Sequence, residues 1–264
     1  MTNTDETLQS WAATIVGDNR AGRRFSPPWG DASPPLDDAY RVQDAVLNGL
    51  APDRGPLGGY KVAATAKPLQ EMLGLTEPLG GLVHAGQLYT SPHTIDLSDY
   101  VSPALEFEVA VRLGRDVPRS AQPFTSETIA PYVGEVITSF EVIDSRGADL
   151  GAVGPAALIA DRCACMGAVL GDAIDEFTDL DLTACPVEVE WNGEVVDRGI
   201  TGAAMGHPFA GLAWIANHLA ARGRRLDADH IVLTGSAFTP KPVSAGDAVT
   251  YRIDGIGEAS VAVV

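Results

Sequence analysis

From Gly58 to the C-terminus the chain reads as short apolar runs broken every few residues by Gly, Pro or Asp, the texture of many strands and few helices. Strands are expected at 59–64, 81–89, 104–113, 134–143, 165–171, 186–191, 194–199, 229–234, 247–253 and 258–264. Asn192-Gly193 between two alternating runs is a two-residue hairpin signal. One long helix, 208–222, interrupts them, with Pro208 in its first turn and Gly223 as its stop. Before Gly58 the period changes. Leu8, Trp11, Ala12, Ile15 and Val16 recur at helical spacing behind Asp5 as the expected cap, and Leu36, Ala39, Val42, Val46 and Leu50 mark a second helix. The division expected is a helical part at 1–57 and a β-rich catalytic part at 58–264, an α+β chain.

Charge narrows the partners. Eighteen Lys and Arg against 35 Asp and Glu give a net charge of −17, which repels polyphosphate backbones and anionic lipid surfaces, so no nucleic acid and no membrane is expected as partner. No apolar stretch approaches bilayer length. The N-terminal Met-Thr-Asn-Thr-Asp-Glu has neither the basic end nor the apolar run of a signal peptide, and Cys163, Cys165 and Cys185 are an odd count. Together these lead to the expectation of a cytoplasmic protein.

Phosphate-cradling glycine loops, the Gly-x-Ser-x-Gly elbow and His-Glu-x-x-His are all missing. Cys163-x-Cys165 with Cys185 could hold a soft metal, although small buried thiols usually fill cores. The informative run is Ala104-Leu-Glu-Phe-Glu-Val-Ala-Val-Arg-Leu113. Alternation puts Glu106 and Glu108 on one strand face, about 7 Å apart, within reach of one cation. Glu188 and Glu190 repeat the pattern within the Asn-Gly hairpin, where a solvated face explains them. Glu141 separates the two cases, because it interrupts the apolar Val136–Ile143 run, and a buried carboxylate needs a cation or hydrogen bonds. Glu106, Glu108 and Glu141 thus make a candidate all-oxygen site for Mg²⁺ or Mn²⁺; the alternative for Glu141 is an ion pair with Arg112 or Arg146. Lys61, in Gly58-Gly-Tyr-Lys-Val-Ala-Ala, is either a proton-transfer group or a lysine snorkelling from a sheet edge.

Gly-Tyr-Lys-Val-Ala-Ala-Thr, Met72-Leu-Gly-Leu, Leu-Glu-Phe-Glu-Val-Ala, Phe140-Glu-Val-Ile-Asp-Ser-Arg146 and Val232-Leu-Thr-Gly-Ser236 stand in this order. As a set they resemble the 2-keto-4-pentenoate hydratase / 4-oxalocrotonate decarboxylase branch of the fumarylacetoacetate hydrolase superfamily, over most of the chain. The resemblance implies an N-terminal helical part packed on a mixed β-sandwich roll, a homo-oligomer, and a 2-oxo acid as small-molecule substrate. It implies that Glu106, Glu108 and Glu141 bind the divalent ion, that Lys61 is the acid/base or orienting cation, and that Ser236 lines the substrate pocket.

Two segments depart from the family pattern. Pro78-Leu79-Gly80-Gly81 replaces a Pro-Asp-Phe-Gly-like segment, so an acid handling water or substrate is gone and Leu79 resembles the apolar residue of the decarboxylases. Ala160-Asp-Arg-Cys-Ala-Cys165 replaces Ala-Asp-Asn-Ala-Ser-Ser, removing two substrate-facing serines and adding Arg162. Arg162 could grip a distal carboxylate if it faces the pocket, or lie at the surface. The implied activity is a metal-dependent lyase on a 2-oxo or 2-hydroxydienoic acid, hydratase or decarboxylase, of the kind met in meta-cleavage aromatic degradation. The substrate's C1 carboxylate and C2 oxygen would chelate the ion where enolate charge develops. The alternatives are carbon–carbon hydrolysis of an acylpyruvate, for which His84 and His93 are the nearest histidines but no convincing His-Glu pair is found, and a non-catalytic accessory subunit.

Overall fold

The computed structural model describes residues 3–264. It opens with helices α1 (Asp5–Arg20) and α2 (Leu36–Arg54). Thr4, not Asp5, caps α1, its hydroxyl accepting the Thr7 N–H, while Asp5 and Glu6 favour the positive end of the helix from its first turn. Strand β1 (Leu57–Ala63), helix α3 (Lys67–Met72) and strands β2 (Leu79–His84), β3 (Leu88–Thr90), β4 (His93–Ile95) and β5 (Pro103–Leu113) follow. A single strand is expected at 81–89; a 3₁₀ turn at Ala85–Gln87 divides it into β2 and β3.

The next elements are α4 (Ser126–Ile129), β6 (Val133–Asp144), α5 (Leu150–Ala160), β7 (Cys165–Ile174), β8 (Pro186–Trp191) and β9 (Glu194–Ile200). The chain ends with α6 (Pro208–Ala221), β10 (Ile231–Ser236), β11 (Lys241–Pro242), β12 (Ala248–Ile253) and β13 (Gly257–Val263). Asn192 and Gly193 join β8 to β9 with φ of 54° and 84°, the paired positive values of a primed hairpin turn. Helix α6 is therefore not the sole helix after residue 58. The second substantial one, α5, is apolar on every side and broken at Gly154-Pro155, so it shows no 3.6-residue alternation of polar and apolar positions.

Two mixed sheets form the roll. The larger runs β2-β1-β10-β5-β6-β7-β3 with β11 beside β5, and the smaller runs β4-β13-β12-β8-β9. Parallel pairings (β1 with β10, β3 with β7, β4 with β13) are set among antiparallel ones. Alternation along β5 and β6 divides the two faces by chemistry. Phe107 and Phe140, cross-strand partners, meet edge to face at 5.6 Å, and Phe107 meets Tyr251 of the smaller sheet at the same distance, a favourable aromatic geometry that anchors the core between the sheets. The opposite face of β5 and β6 carries Glu106, Glu108 and Glu141.

The helical part packs on the roll rather than beside it. Leu8, Ile15, Val42, Val46 and Leu50 share one buried cluster with Ala157 and Ala160 of α5. Arg146, just past β6, binds Asp161 at 2.8 Å, lies over the Phe25 ring at 5.0 Å and accepts the Phe25 N–H on its carbonyl.

Candidate active site

Glu106 and Glu141 face each other directly across β5 and β6, and Glu108 lies two residues along β5 on the same face. One oxygen from each of the three carboxylates falls within 4.8 Å of the others. Glu108 and Glu141 are almost fully buried, whereas the Glu106 side chain keeps 18% of its exposure. Glu108 Oε2 accepts the Gly235 N–H at 2.8 Å, whereas Glu108 Oε1 and Glu141 Oε2 have no hydrogen-bond partner and Glu141 Oε1 meets only the Lys61 ammonium described next.

Lys61, on β1, reaches this cluster from the side. Its Nζ lies 3.2 Å from Glu141 Oε1 and 3.7 Å from Glu106 Oε2. Burial works against the ammonium, but Glu141 and Glu106 outweigh it and hold the Lys61 pKa well above the ordinary lysine value. Burial pushes the Glu141 carboxyl up to about 8 against the pull of Lys61, and burial with the neighbouring acids raises Glu108 strongly. One ammonium thus faces three carboxylates in a low-dielectric place, and the surplus negative charge calls for protons or a cation.

Neither alternative partner of Glu141 is used. Arg112 pairs with Glu135 at 2.7 Å and Arg146 with Asp161. Lys61 is no edge residue either, since β1 lies between β2 and β10 and Lys61 is 3% exposed. Glu188 and Glu190 are half-buried and paired with Arg198 and Arg252.

A cavity of about 620 Å³ opens beside Lys61 and Glu106. Leu79, Cys163 and Ser236 line it. The Ser236 hydroxyl is committed to the backbone, donating to the Phe238 carbonyl at 2.8 Å and accepting the Phe107 N–H at 2.9 Å. Arg162 answers to neither of its expected positions. It is 1% exposed and does not line the cavity; its guanidinium reaches Gln87 Oε1 at 3.4 Å and Met166 Sδ at 3.8 Å. The reason is local backbone: Arg162, Cys163 and Ala164 are consecutive left-handed residues, with φ of 56°, 54° and 63°, a turn that gives alternation no purchase and costs roughly 1–2 kcal/mol per residue.

The three cysteines are free and buried, and burial raises the Cys163 thiol to about 12. The only described His, Cys, Asp or Glu cluster with metal-ligand spacing is the carboxylate trio, so no cysteine site accompanies it. His84 and His93 do not line the cavity. His84 is wholly buried with Nδ1 2.8 Å from the Gly55 carbonyl, and His93 stacks on Tyr89. Sequence reasoning missed the apolar wall from α3 and α5, Leu69, Leu73 and Leu158; α3 is too short for a periodic signal.

The model of the fumarylacetoacetate (FAA) hydrolase C-terminal family matches residues 67–264. The chain belongs to the fumarylacetoacetate hydrolase family. Among relatives, it is 31% identical over 256 residues to a 2-keto-4-pentenoate hydratase of Paraburkholderia phymatum, covering 96% of each chain. It is 28% identical to a 4-oxalocrotonate decarboxylase of Pseudomonas putida over 84% of this chain and 83% of that one. A solved structure of 4-oxalocrotonate decarboxylase from Pseudomonas putida G7, complexed with magnesium and adipate, superimposes with a TM-score of 0.92 at 26% identity, over 100% of this chain and 99% of that one. The family's α+β roll with packed N-terminal helices is the architecture of this chain.

Proposed function

We propose that this chain is a divalent-metal-dependent lyase acting on a 2-oxo or 2-hydroxydienoic acid by hydratase or decarboxylase chemistry. The observation that carries the reading is the carboxylate trio: buried acid oxygens left without hydrogen bonds, beside one lysine and at the wall of an apolar cavity. Such oxygens fit a hard cation with oxygen preference, Mg²⁺ or Mn²⁺, and Glu106, Glu108 and Glu141 would hold it. An ion held by these residues would supply Lewis-acid stabilisation of the enolate charge that develops on a 2-oxo acid. The hydratase and decarboxylase named above, and the magnesium in the decarboxylase structure, support the assignment.

The chain's own groups then divide the work. Lys61, kept charged by Glu141 and Glu106, holds a proton at Nζ next to the cavity, where it orients the substrate and donates the proton to it. Leu79, Ala63 and Phe238 keep water from the apolar wall. Glu106 is the sole carboxylate among the described lining residues, so the acid that Leu79 replaces has no substitute in the cavity wall. Consistent with the acidic composition, we place the enzyme in the cytoplasm, acting on a small-molecule substrate; that it works as a homo-oligomer rests on the family resemblance.

Proton–deuterium exchange at the methyl group of pyruvate in D₂O, followed by NMR, tests the reading without the true substrate. Metal-stripped protein should be inert, Mg²⁺ or Mn²⁺ should restore exchange, and Lys61→Ala should abolish it while retaining metal binding. Absence of metal binding by the unmodified protein would move the assignment to an accessory subunit.

A further inference from the structure

The lining of the cavity constrains the end of the substrate that lies beyond the carboxylates. Lys61 is the only basic residue among the described lining residues, and it is already engaged by Glu141 and Glu106. Arg162, next to the lining residue Cys163, directs its guanidinium to Gln87 and Met166 instead. What remains is chiefly Val62, Leu69, Leu73, Leu79, Leu158 and Phe238, with small alanines between them. A second carboxylate would enter this wall with no cation to meet it, and an unpaired charge in apolar surroundings is strongly disfavoured.

The extent of the wall points the same way. Beyond Lys61 and Glu106 the lining continues over Leu69 and Leu73 of the α3 segment and Leu158 of α5, and apolar space of that kind is matched by an apolar ligand.

On the lyase reading above, we infer that the substrate is a monocarboxylic 2-hydroxydienoic acid whose far end carries an extended alkyl or aryl substituent, seated against Leu69, Leu73, Leu79 and Leu158. Such a substrate undergoes water addition rather than loss of CO₂, because a decarboxylation that leaves the chelating carboxylate in place needs a second one to lose; with Leu79 in place of an acid, orienting the water falls to Glu106 and Lys61, the charged residues among the described lining residues. The balance is simple: the water oxygen becomes a hydroxyl on C4, the enol proton and one water proton end on C3 and C5, and C2 becomes a ketone. No oxidant or reductant enters.

The test compares 2-oxohexanoate with 2-oxoadipate, equal in chain length and different only in a terminal methyl or carboxylate, by calorimetric titration of the Mg²⁺-loaded protein, with pyruvate as the shared headgroup. The expected result is binding of 2-oxohexanoate at least about tenfold tighter than 2-oxoadipate, and tighter binding still for 2-oxooctanoate. Leu69 is 38% exposed on α3 and tolerates a long side chain, so Leu69→Arg should shift the preference about tenfold toward 2-oxoadipate. Equal or tighter binding of 2-oxoadipate by the unmodified protein overturns the inference and favours the decarboxylase course. Binding of pyruvate without 2-oxohexanoate overturns the inference alone, whereas failure of all three acids with Mg²⁺ present overturns the lyase reading and the inference with it.

Discussion

Lys61 and Gly81 face each other across β1 and β2, and a Cβ on Gly81 would fall 2.6 Å from Lys61 Cγ and 2.8 Å from the Arg162 carbonyl oxygen. The bare Gly81 backbone is what lets the lysine stem pass between β2 and the left-handed turn to reach Glu141. Gly81→Ala should therefore displace the ammonium without touching a charged group. The expected outcome is a 10- to 100-fold loss (roughly) in pyruvate exchange rate with metal affinity nearly unchanged, read by NMR exchange and metal titration on the same preparation.

Glu108 supplies a prediction with an unusual sign. Its pKa is raised by burial, then by Glu141 and Glu106, so without metal the unfolded state loses this proton at lower pH than the folded state. Between those values the folded state binds more protons, and stability falls as pH rises. Glu108→Gln removes the penalty while keeping the shape, so the metal-free variant should match or exceed the metal-free wild type at pH 8, by about 1–3 kcal/mol. Mg²⁺ should raise the melting temperature of the wild type and leave that of the variant unmoved. Thermal melts with and without Mg²⁺ check both halves.

The carboxylate trio was legible because β5 obeys strict alternation and because Glu141 stands in a run otherwise too apolar for solvent. The direct register of Glu141 with Glu106 was not, since β5 and β6 are joined by the long segment 114–132 that carries α4, not by a tight turn, and neither strand alone fixes the pairing. Helix α5 escaped notice because a segment buried on all sides has no polar face to mark a period. Arg162 was misplaced for another reason: a side chain on a left-handed turn follows neither the helical nor the strand rule, so residue type alone left both its proposed positions wrong.

His84 is buried with one ring nitrogen at the Gly55 carbonyl and Nε2 without a partner. Burial lowers its pKa from 6.5 to about 4. The unfolded state therefore takes up a proton that the folded state refuses as pH falls from about 6.5 to 4, and stability is lost across that window, by up to about 3 kcal/mol from this residue. His84→Asn does not titrate and can still donate to the Gly55 carbonyl. Its denaturant stability should decline less steeply than the wild type between pH 6.5 and 4.5, a difference measured by parallel urea titrations.

Arg146 and Asp161 form the buried ion pair that ties the loop at Arg23–Phe25 to the ends of β6 and α5. Arg146 is 2% exposed, and Asp161 Oδ1 has no hydrogen-bond partner. Arg146→Met would leave the Asp161 charge without its nearest cation and strip the Phe25 ring of the guanidinium over it, at about 3–5 kcal/mol of folding stability. Asp161→Asn in the Arg146→Met background removes the stranded charge, so the double variant should recover part of the loss. Were the pair serving only as a surface tether, the single variant would lose less than about 1 kcal/mol and the second substitution would restore nothing. Asp161 also precedes the left-handed turn whose Cys163 and Ala164 line the cavity. Release of this pair should accordingly weaken 2-oxo acid binding in the single variant, with the amide at position 161 restoring affinity in step with stability.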